Sequence, residues 1–310
     1  MAYKVFVDGA EGTTGLLIND RLATRNDVEL IRIDESLRKD KAARAEAIHR
    51  ADVVFLCLPE DAARESADLA ESSAAIVIDA STAHRIAPGW AYGFPELSPE
   101  FRAKIAGAKR VSVPGCHATG AIAAVYPLIS SGVMAADYPL CVHSVTGYSG
   151  GGKKMIAEYR STDRSAALDS PRQYGLSQAH KHLPEMQLIL GLDEPPLFNP
   201  IVCDFYAGMA VSVPIHARLL KKSMGLKAMA ELLTDHYAGR PFITVSSRPG
   251  EGFIPANQNT GSNILTIYVC GNDERMTLIS VLDNLGKGSS GAAMQCMNIA
   301  LGLPEHMGLL

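Results

Sequence analysis

The sequence predicts an α/β protein in which a doubly wound parallel sheet comes first and an α+β region follows. Two observations predict this fold. Across residues 4–113, short apolar segments alternate with helical ones, a rhythm typical of parallel strands joined by right-handed crossovers. Across residues 200–269, four strand-like segments surround a single helical one, which favours a mixed or antiparallel sheet.

Composition limits the possible classes of protein. The chain has 310 residues, 47% of them hydrophobic and 20% charged, enough for two domains with ordinary cores. The net charge of −4 and the lack of a Lys/Arg-rich block argue against a nucleic-acid partner.

The cysteines bear on the cellular compartment. Six cysteines without paired short spacing predict a reducing compartment. The first residues indicate a strand rather than a signal peptide, and the apolar tract 118–136 contains Gly, Pro and Ser. We therefore expect a cytoplasmic protein with no membrane partner.

A glycine-rich turn follows the first predicted strand, residues 4–7. Gly9, Gly12 and Gly15 are spaced G-x-x-G-x-x-G, which departs from the dinucleotide motif G-x-G-x-x-G. The physics is the same, because glycines let the backbone approach a pyrophosphate at a helix N-terminus. Thr13 and Thr14 could donate their hydroxyls to phosphate oxygens. These five residues form the predicted core of a dinucleotide site.

The second predicted strand, residues 27–33, bears on which dinucleotide is bound. An acidic residue such as Asp34 at the end of this strand usually binds a ribose 2′-OH and indicates NAD. Here Ser36, Arg38 and Lys39 follow at once and could hold a 2′-phosphate. The pattern favours NADP(H), although a solvated turn would carry the same charges.

The alternation then continues toward the middle of the chain. Leu58 and Pro59 end an apolar strand, so they are assigned to the cofactor site, because ligands bind at the carboxyl ends of parallel strands. Arg85 follows the next strand and is a candidate anion clamp, although a surface arginine fits the spacing equally well. The predicted elements are a helix over 39–51, a strand over 52–59, a helix over 60–73 and a strand over 75–81.

Cys116 stands at the junction of a strand, residues 109–113, and a helix that begins at His117. Such a position offers unpaired backbone N–H groups and the positive end of the helix dipole. Both favour the thiolate, so we predict a nucleophile whose neighbouring N–H groups could hold an oxyanion. The other five cysteines lie in apolar segments and are expected to be structural.

The second half of the chain supplies candidate substrate and acid/base residues. A strand over 140–146 runs into a Gly/Ser turn, 147–154. There Ser149 and Gly150 could present N–H groups to a substrate anion, or merely form a flexible loop.

His180 and His182 precede a helix that begins near Pro184. Imidazole is the usual acid/base near neutral pH. A metal is not predicted, because no third ligand accompanies the pair, and the other histidines are expected to be structural or exposed.

The last third of the chain predicts the α+β region itself. Some of its strands are long enough to carry a subunit interface. The predicted elements are strands over 201–205, 209–215, 242–246 and 263–271, a helix over 221–237, and a closing helix that follows residues 283–291 and ends near 301.

Five motifs together resemble one family over essentially the whole chain, namely N-acetyl-gamma-glutamyl-phosphate reductase in its shorter form, within the semialdehyde dehydrogenase superfamily. Each motif alone is weak, but their combination and order are specific. They are DGAEGTTG (8–15), PGCHATG (114–120), GYSGGGK (147–153), HKHLPE (180–185) and DNLGKGSSGAA (283–293).

The resemblance implies a Rossmann-like NADP-binding domain, residues 1–116 with 285–310, and an α+β catalytic and oligomerisation domain, residues 117–284. It implies NADPH-dependent reduction of N-acetyl-gamma-glutamyl phosphate to N-acetylglutamate 5-semialdehyde in arginine biosynthesis, through a cysteine thioacyl intermediate, by a homo-oligomer (dimer or tetramer).

The resemblance also implies roles for individual residues. Cys116 matches the family nucleophile, and His180 and His182 match its paired histidines, with His180 slightly preferred as the acid/base. Tyr174 and Arg85 match residues associated with substrate binding. Asn284, in the last motif, joins the cofactor-binding set.

Three other functions remain compatible with the sequence. Two are related enzymes, a semialdehyde dehydrogenase acting on aspartyl phosphate and a CoA-acylating aldehyde dehydrogenase. The third is a non-catalytic nucleotide-binding sensor, against which the position of Cys116 and the two histidines argue.

Overall fold

The structure, a computed structural model, describes residues 2–247 and 252–309. Met1, residues 248–251 and Leu310 lie outside the described part. The chain forms two compact units, Met1–Pro114 with Ser289–Leu310 and Gly115–Gly288. No helix in the described part is both long enough and apolar enough to span a bilayer.

The first unit is built on a sheet in which every strand pairing is parallel, in the order β2-β1-β3-β4-β6-β5. Strands β3 and β4 are buried at every position, as expected where helices cover both faces of a parallel sheet. The strands are β1 Tyr3–Asp8, β2 Val28–Ile31, β3 Val53–Leu56, β4 Ile76–Asp79, β5 Ala91–Tyr92 and β6 Arg110–Ser112.

The helices of this unit begin where sequence and backbone chemistry favour a start. Asp40 accepts a hydrogen bond from Ala43 N–H and caps α2, and Pro99 occupies the first position of α4 after the cap Ser98, positions where both residue types are preferred. The helices are α1 Thr13–Ala23, α2 Lys41–Arg50, α3 Glu60–Leu69, α4 Pro99–Gly107 and, from the end of the chain, α9 Gly291–Ala300.

The second unit contains a mixed sheet in the order β11-β12-β13-β10-β7-β9-β8. Its centre is antiparallel, while β11·β12 and β7·β9 pair in parallel. The strands are β7 Cys141–Gly147, β8 Arg172–Gln173, β9 Leu197–Cys203, β10 Met209–His216, β11 Ile243–Ser246, β12 Leu265–Gly271 and β13 Arg275–Leu282. The helices are α5 Cys116–Ser130, α6 Gly152–Arg160, α7 Leu183–Leu190 and α8 Leu226–His236.

The α/β fold class is confirmed, whereas several elements differ from those predicted. Strand β13 has no predicted counterpart, although it lies near the middle of the second sheet. Its burial alternates from Arg275 to Ser280, the period-2 pattern of a half-buried strand, and its last two residues are also buried. Strand β5 and helix α4 were also not predicted. The Gly/Ser turn is shorter than predicted, because a one-turn 3₁₀ helix, Tyr148–Gly151, leads directly into α6.

Candidate active site

A cavity of about 610 Å³ lies in the first unit, lined by residues that follow β1, β2 and β3. The chain crosses from β2 to β3 on opposite sides of β1, and this reversal of strand order is where open α/β sheets bind ligands. Of the residues assigned to the cofactor, the lining includes Gly9, Gly12, Arg38, Leu58 and Pro59.

The glycine turn beneath this cavity tolerates no side chain at two of its positions. Gly9 has φ +84°, and a Cβ added there would lie 2.4 Å from the Cys57 carbonyl oxygen. A Cβ on Gly15 would lie 2.4 Å from the Gly9 carbonyl oxygen. This tight turn brings the backbone to the start of α1, a geometry that fits a pyrophosphate at a helix N-terminus.

Two of the hydroxyl groups predicted to bind phosphate, those of Thr14 and Ser36, already have partners within the unit. Thr13 is the first residue of α1, and the Thr14 hydroxyl lies 3.0 Å from that of Ser289. The Ser36 hydroxyl donates to Asp34 at 2.5 Å. Arg38 and Lys39 line the cavity, so they are better placed than Ser36 to meet a 2′-phosphate.

Arg85 lies on a loop that a buried carboxylate organises. Asp79 accepts hydrogen bonds from the main chain and hydroxyl of Ser81 and lies 2.6 Å from Nδ1 of His84. The His84 ring stacks on Trp90 at 4.0 Å. Arg85 follows directly, and its Nε donates to the Val113 carbonyl at 3.1 Å. This bond fixes Arg85 against the strand end that leads to Cys116.

Cys116 is the first residue of α5 and is partly exposed, whereas the flanking residues 111–115 and 117–120 are buried. The Thr119 N–H bonds back to the Gly115 carbonyl, so the N–H groups of Cys116, His117 and Ala118 precede the first intrahelical bond. These are the donors that a helix start offers to an anion.

Two contacts hold the turn that carries Cys116. The Gly115 N–H donates to Oε1 of Glu185 at 2.8 Å, and Glu185 is 1% exposed. The second is the close packing of Gly288 against Cys116, where a Cβ added to the glycine would lie 2.7 Å from the Cβ of Cys116. Neither residue was assigned a role from sequence. An acidic residue in the first turn of a helix is visible in the sequence, but its burial and its partner are not.

Three histidine rings lie together near Cys116 in the second unit. The centroids of His180 and His182 are 4.7 Å apart, and His117 lies 5.6 Å from His180 and 5.4 Å from His182. One nitrogen from each ring falls within 4.8 Å of the other two. The structure thus brings together the two predicted histidines and adds a third. The reason given above for excluding a metal, the lack of a third ligand, is therefore wrong.

His117 also connects Tyr174 to the sheet. Its Nδ1 lies 2.7 Å from the Ser144 hydroxyl and its Nε2 lies 2.6 Å from the Tyr174 hydroxyl. Burial, with smaller contributions from the charges of His180 and Lys181, lowers the pKa of His117 to about 3. The pKa of Tyr174 is raised, mainly by burial and secondly by the charge of Cys116. Tyr174 is therefore a neutral hydroxyl close enough to Cys116 to respond to its charge.

The low pKa of His117 predicts acid sensitivity. The ordinary pKa of histidine is 6.5. As the pH falls below about 6.5, His117 becomes protonated in the unfolded chain but stays neutral in the folded chain until about pH 3. The free energy of unfolding then falls by about 1.4 kcal/mol per pH unit from this group. We expect His117→Gln to be less stable than wild type at pH 7.5 but to show a shallower loss on acidification, measured by urea unfolding in EDTA at pH 7.5, 6.0 and 5.0.

The exposed His216 supplies the control for this experiment. His216→Gln should follow the wild-type pH dependence. Parallel curves for wild type and His117→Gln would show that His117 does not carry the effect.

Ser149, in the Gly/Ser turn, does not present its N–H group to a substrate anion as predicted. The Ser149 side chain is buried, its N–H donates to the Tyr206 carbonyl, and its hydroxyl accepts a hydrogen bond from the Asn284 amide at 2.9 Å. Oδ1 of Asn284 accepts from Gly208 N–H. This network closes the turn from within, because the turn docks on residues 205–208. Gly150 is exposed, and its role stays a prediction.

The environments of the other five cysteines disfavour a reactive thiolate. All six cysteines lie among the described residues and none forms a disulfide. Burial is the main reason that the thiol pKa values are raised for Cys57, Cys141, Cys203 and Cys270, and Cys296 is fully buried. A raised thiol pKa suppresses the thiolate and hence reactivity.

Comparison with known families matches both units of the chain. Residues 116–284 match the family model "Semialdehyde dehydrogenase, dimerisation domain", and residues 24–105 match "Semialdehyde dehydrogenase, NAD binding domain". Among solved structures, aspartate semialdehyde dehydrogenase II from Vibrio cholerae aligns with a TM-score of 0.74 over 97% of this chain and 99% of that chain, at 15% identity. The enzyme from Candida albicans with NADP aligns with a TM-score of 0.68 over 96% and 98%, at 16% identity. At these identities the likeness shows a shared fold.

Curated relatives are much closer in sequence. The N-acetyl-gamma-glutamyl-phosphate reductase of Trichormus variabilis is 46% identical, and the alignment covers 99% of each chain. That of Brucella ovis is 44% identical over 97% of this chain and all of the relative. The resemblance inferred from the five motifs is confirmed, and this chain belongs to the N-acetyl-gamma-glutamyl-phosphate reductase family of semialdehyde dehydrogenases.

Proposed function

We propose that this chain reduces N-acetyl-gamma-glutamyl phosphate to N-acetylglutamate 5-semialdehyde with NADPH and release of phosphate, a step of arginine biosynthesis. One observation carries the proposal. Cys116 is partly exposed at the first position of a helix. The next residue, His117, is hydrogen-bonded to Tyr174, and its ring centroid lies 5.6 Å from that of His180. A nucleophile, the N–H groups of a helix start and imidazoles are the parts that acyl transfer needs.

The first unit, predicted as residues 1–116 with 285–310, is proposed to bind NADP(H). The glycine turn and cavity support the pyrophosphate site, and Arg38 and Lys39 supply positive charge for a 2′-phosphate. The nicotinamide supplies a hydride when bound. The second region, predicted as residues 117–284, follows Cys116 directly and is proposed to carry the other groups of acyl transfer and the contacts between subunits.

The first half-reaction makes a thioester. The Sγ of Cys116 attacks the carbonyl carbon of the acyl phosphate, while the N–H groups of His117 and Ala118 hold the developing oxyanion. The bond from carbon to the phosphate oxygen breaks, and inorganic phosphate leaves with the electron pair. The Gly115–Glu185 hydrogen bond fixes the turn during the attack, and Arg85 is proposed to bind an anionic group of the substrate.

The second half-reaction releases the aldehyde. After hydride adds to the thioester carbon, the oxyanion again rests on the helix N–H groups, and its collapse breaks the carbon–sulfur bond. His180 or His182 accepts the thiol proton at the start and returns a proton to the departing sulfur. The overall balance is acyl phosphate, NADPH and one proton giving aldehyde, NADP⁺ and phosphate.

Assembly and location complete the proposal. The matched family model describes a dimerisation domain, which supports a homo-oligomer, a dimer or a tetramer. Six cysteines outside any disulfide support a reducing, cytoplasmic setting. We propose small-molecule partners only, with neither nucleic acid nor membrane among them.

The reverse reaction tests the proposal most simply. With N-acetylglutamate semialdehyde and NADP⁺, we expect formation of NADPH that requires inorganic phosphate, since phosphate must attack the thioester to complete turnover. NADP⁺ should support a higher kcat/KM than NAD⁺, because Arg38 and Lys39 line the cofactor cavity. The assay compares phosphate, no acceptor and CoA, with aspartate semialdehyde as the second substrate.

Each alternative gives a distinct result in this assay. Turnover with CoA in place of phosphate indicates a CoA-acylating enzyme, and a preference for aspartate semialdehyde indicates the related dehydrogenase. No turnover with any combination, in protein that binds NADP⁺, indicates a non-catalytic sensor and overturns the proposal.

A further inference from the structure

The cluster formed by His117, His180 and His182 has the dimensions of a metal site. With zinc–nitrogen bonds of about 2.0–2.1 Å at tetrahedral angles, the centroids of three ligating imidazoles lie about 5 Å apart. The observed separations are 4.7, 5.4 and 5.6 Å. Within residues 2–247 and 252–309, this is the one group of three or more His, Cys, Asp or Glu side chains that meets the spacing for a metal ion.

We propose that these three histidines bind Zn²⁺, with the fourth position open to water, and that the bound ion reversibly blocks the active site. Imidazole ligands suit zinc and neighbouring late transition metals, while Mg²⁺ and Ca²⁺ prefer oxygen ligands. Three histidines with one exchangeable position form a stable tetrahedral zinc site. The inhibitory effect rests on the proposed function, whereas the binding itself does not.

The surroundings of His117 prepare one of its nitrogens for a metal. In the tautomer that carries its proton on Nδ1, His117 donates to the buried Ser144 hydroxyl at 2.7 Å. A hydrogen bond from the second ring nitrogen is the usual way in which proteins orient a ligating histidine. The Nε2 lone pair then faces the Tyr174 hydroxyl at 2.6 Å, so zinc binding replaces this hydrogen bond.

His180 and His182 lie on one short segment before α7. The main-chain N–H of His182 donates to Nδ1 of His180 at 3.2 Å, a contact that a zinc–nitrogen bond would also replace. His180 is partly exposed, while His117 and His182 are buried, so the ion enters from the side of His180. Zinc bound here would withdraw His180 and His182 from acid/base chemistry, and turnover would stop.

The alternative explanation is that the rings merely pack as an aromatic cluster. The ring centroid of Phe198 lies 5.3 Å from that of His117 and 5.1 Å from that of His180, so two of the three imidazoles pack against a non-ligating ring. Ring packing explains the proximity but predicts no metal affinity. The two explanations therefore separate in a binding experiment.

The test is a titration of the EDTA-stripped, full-length chain with Co²⁺, which reports its own coordination through visible ligand-field bands, followed by displacement with Zn²⁺. We expect tetrahedral bands that saturate near one equivalent and disappear when Zn²⁺ is added. His180→Asn and His117→Gln should each weaken Co²⁺ affinity at least about tenfold, since losing a mere outer-shell partner already costs 10–100-fold.

Control variants distinguish this site from other zinc contacts. Cys116→Ser should keep the bands, because the ligands are nitrogens. His143→Asn should also keep them, although His143 lies 3.6 Å from the Cys141 sulfur and offers a competing pair. Circular dichroism checks that His117→Gln is folded, and the partly exposed His180 provides a second variant whose result stands if it is not.

Three results would overturn the metal site: no saturable bands in wild type, equal affinity in folded His180→Asn, or loss of the bands in Cys116→Ser. The inhibitory role is tested by turnover of the Zn²⁺-loaded chain before and after EDTA is added. If EDTA does not restore an activity that Zn²⁺ has lowered, the reversible inhibition is wrong, whereas the metal site itself stands. Absence of any reductase activity leaves the Co²⁺ result intact, so failure of the proposed function is seen separately.

Discussion

Cys116→Ser is expected to lower the reductase turnover number by at least about 10³-fold, since a serine hydroxyl at this position is a far weaker nucleophile than a thiolate. The affinity for NADPH should be unchanged, because the glycine turn and cavity that are proposed to bind it lie in the first unit. The measurements are steady-state turnover and NADPH binding by fluorescence on the same preparations.

The same substitution elsewhere in the chain supplies the matched control. Cys270 lies in β12, and burial raises the pKa of its thiol, so Cys270→Ser should retain near-normal turnover. Near-normal turnover in Cys116→Ser would remove Cys116 from the mechanism, whereas parallel losses in both variants would indicate a general loss of folding.

The second large effect is expected at the paired histidines. We expect His180→Asn to lower kcat by about 10²–10⁴-fold, the usual contribution of a general acid/base, and to remove one limb of the pH–rate profile. His180 is favoured because it is partly exposed and can exchange protons with solvent. His182 is 4% exposed and is the N-cap residue of α7.

His182→Asn makes a stringent comparison, because asparagine is a good N-cap residue and should preserve the start of α7. A smaller loss of kcat with an unchanged pH profile is expected for this variant, and the exposed His216→Asn should behave as wild type. All assays contain EDTA. If neither His180→Asn nor His182→Asn alters the pH–rate profile, another group carries the proton.

The local features of this fold could be predicted from sequence because they follow from neighbouring residues. Alternation of apolar strands with helices predicted the parallel sheet. Pro114-Gly115 predicted a helix that begins at His117, one residue after its start at Cys116 in the structure. Strand β13 was available from the same reasoning, because a mostly apolar segment, residues 276–282, follows the turn at residues 272–274.

The composition of the site could not be predicted in the same way, because it depends on contacts between distant segments. Glu185 meets Gly115 across 70 residues, and Asn284 meets Ser149 across 135. His117 stands next to Cys116 in the sequence, but its neighbourhood with His180 and His182 arises only when α5 packs beside the segment that precedes α7. No periodicity or spacing in a single sequence carries that information.

The central claim is that Cys116 carries the acyl group between the two half-reactions, and mass spectrometry tests it directly. Protein mixed with N-acetyl-gamma-glutamyl phosphate in the absence of NADPH should gain the mass of one N-acetylglutamyl group, located by peptide mapping on Cys116. NADPH should discharge the adduct, and Cys116→Ala should not form it. Turnover at the full rate with no adduct, or with the adduct on another residue, would contradict the account.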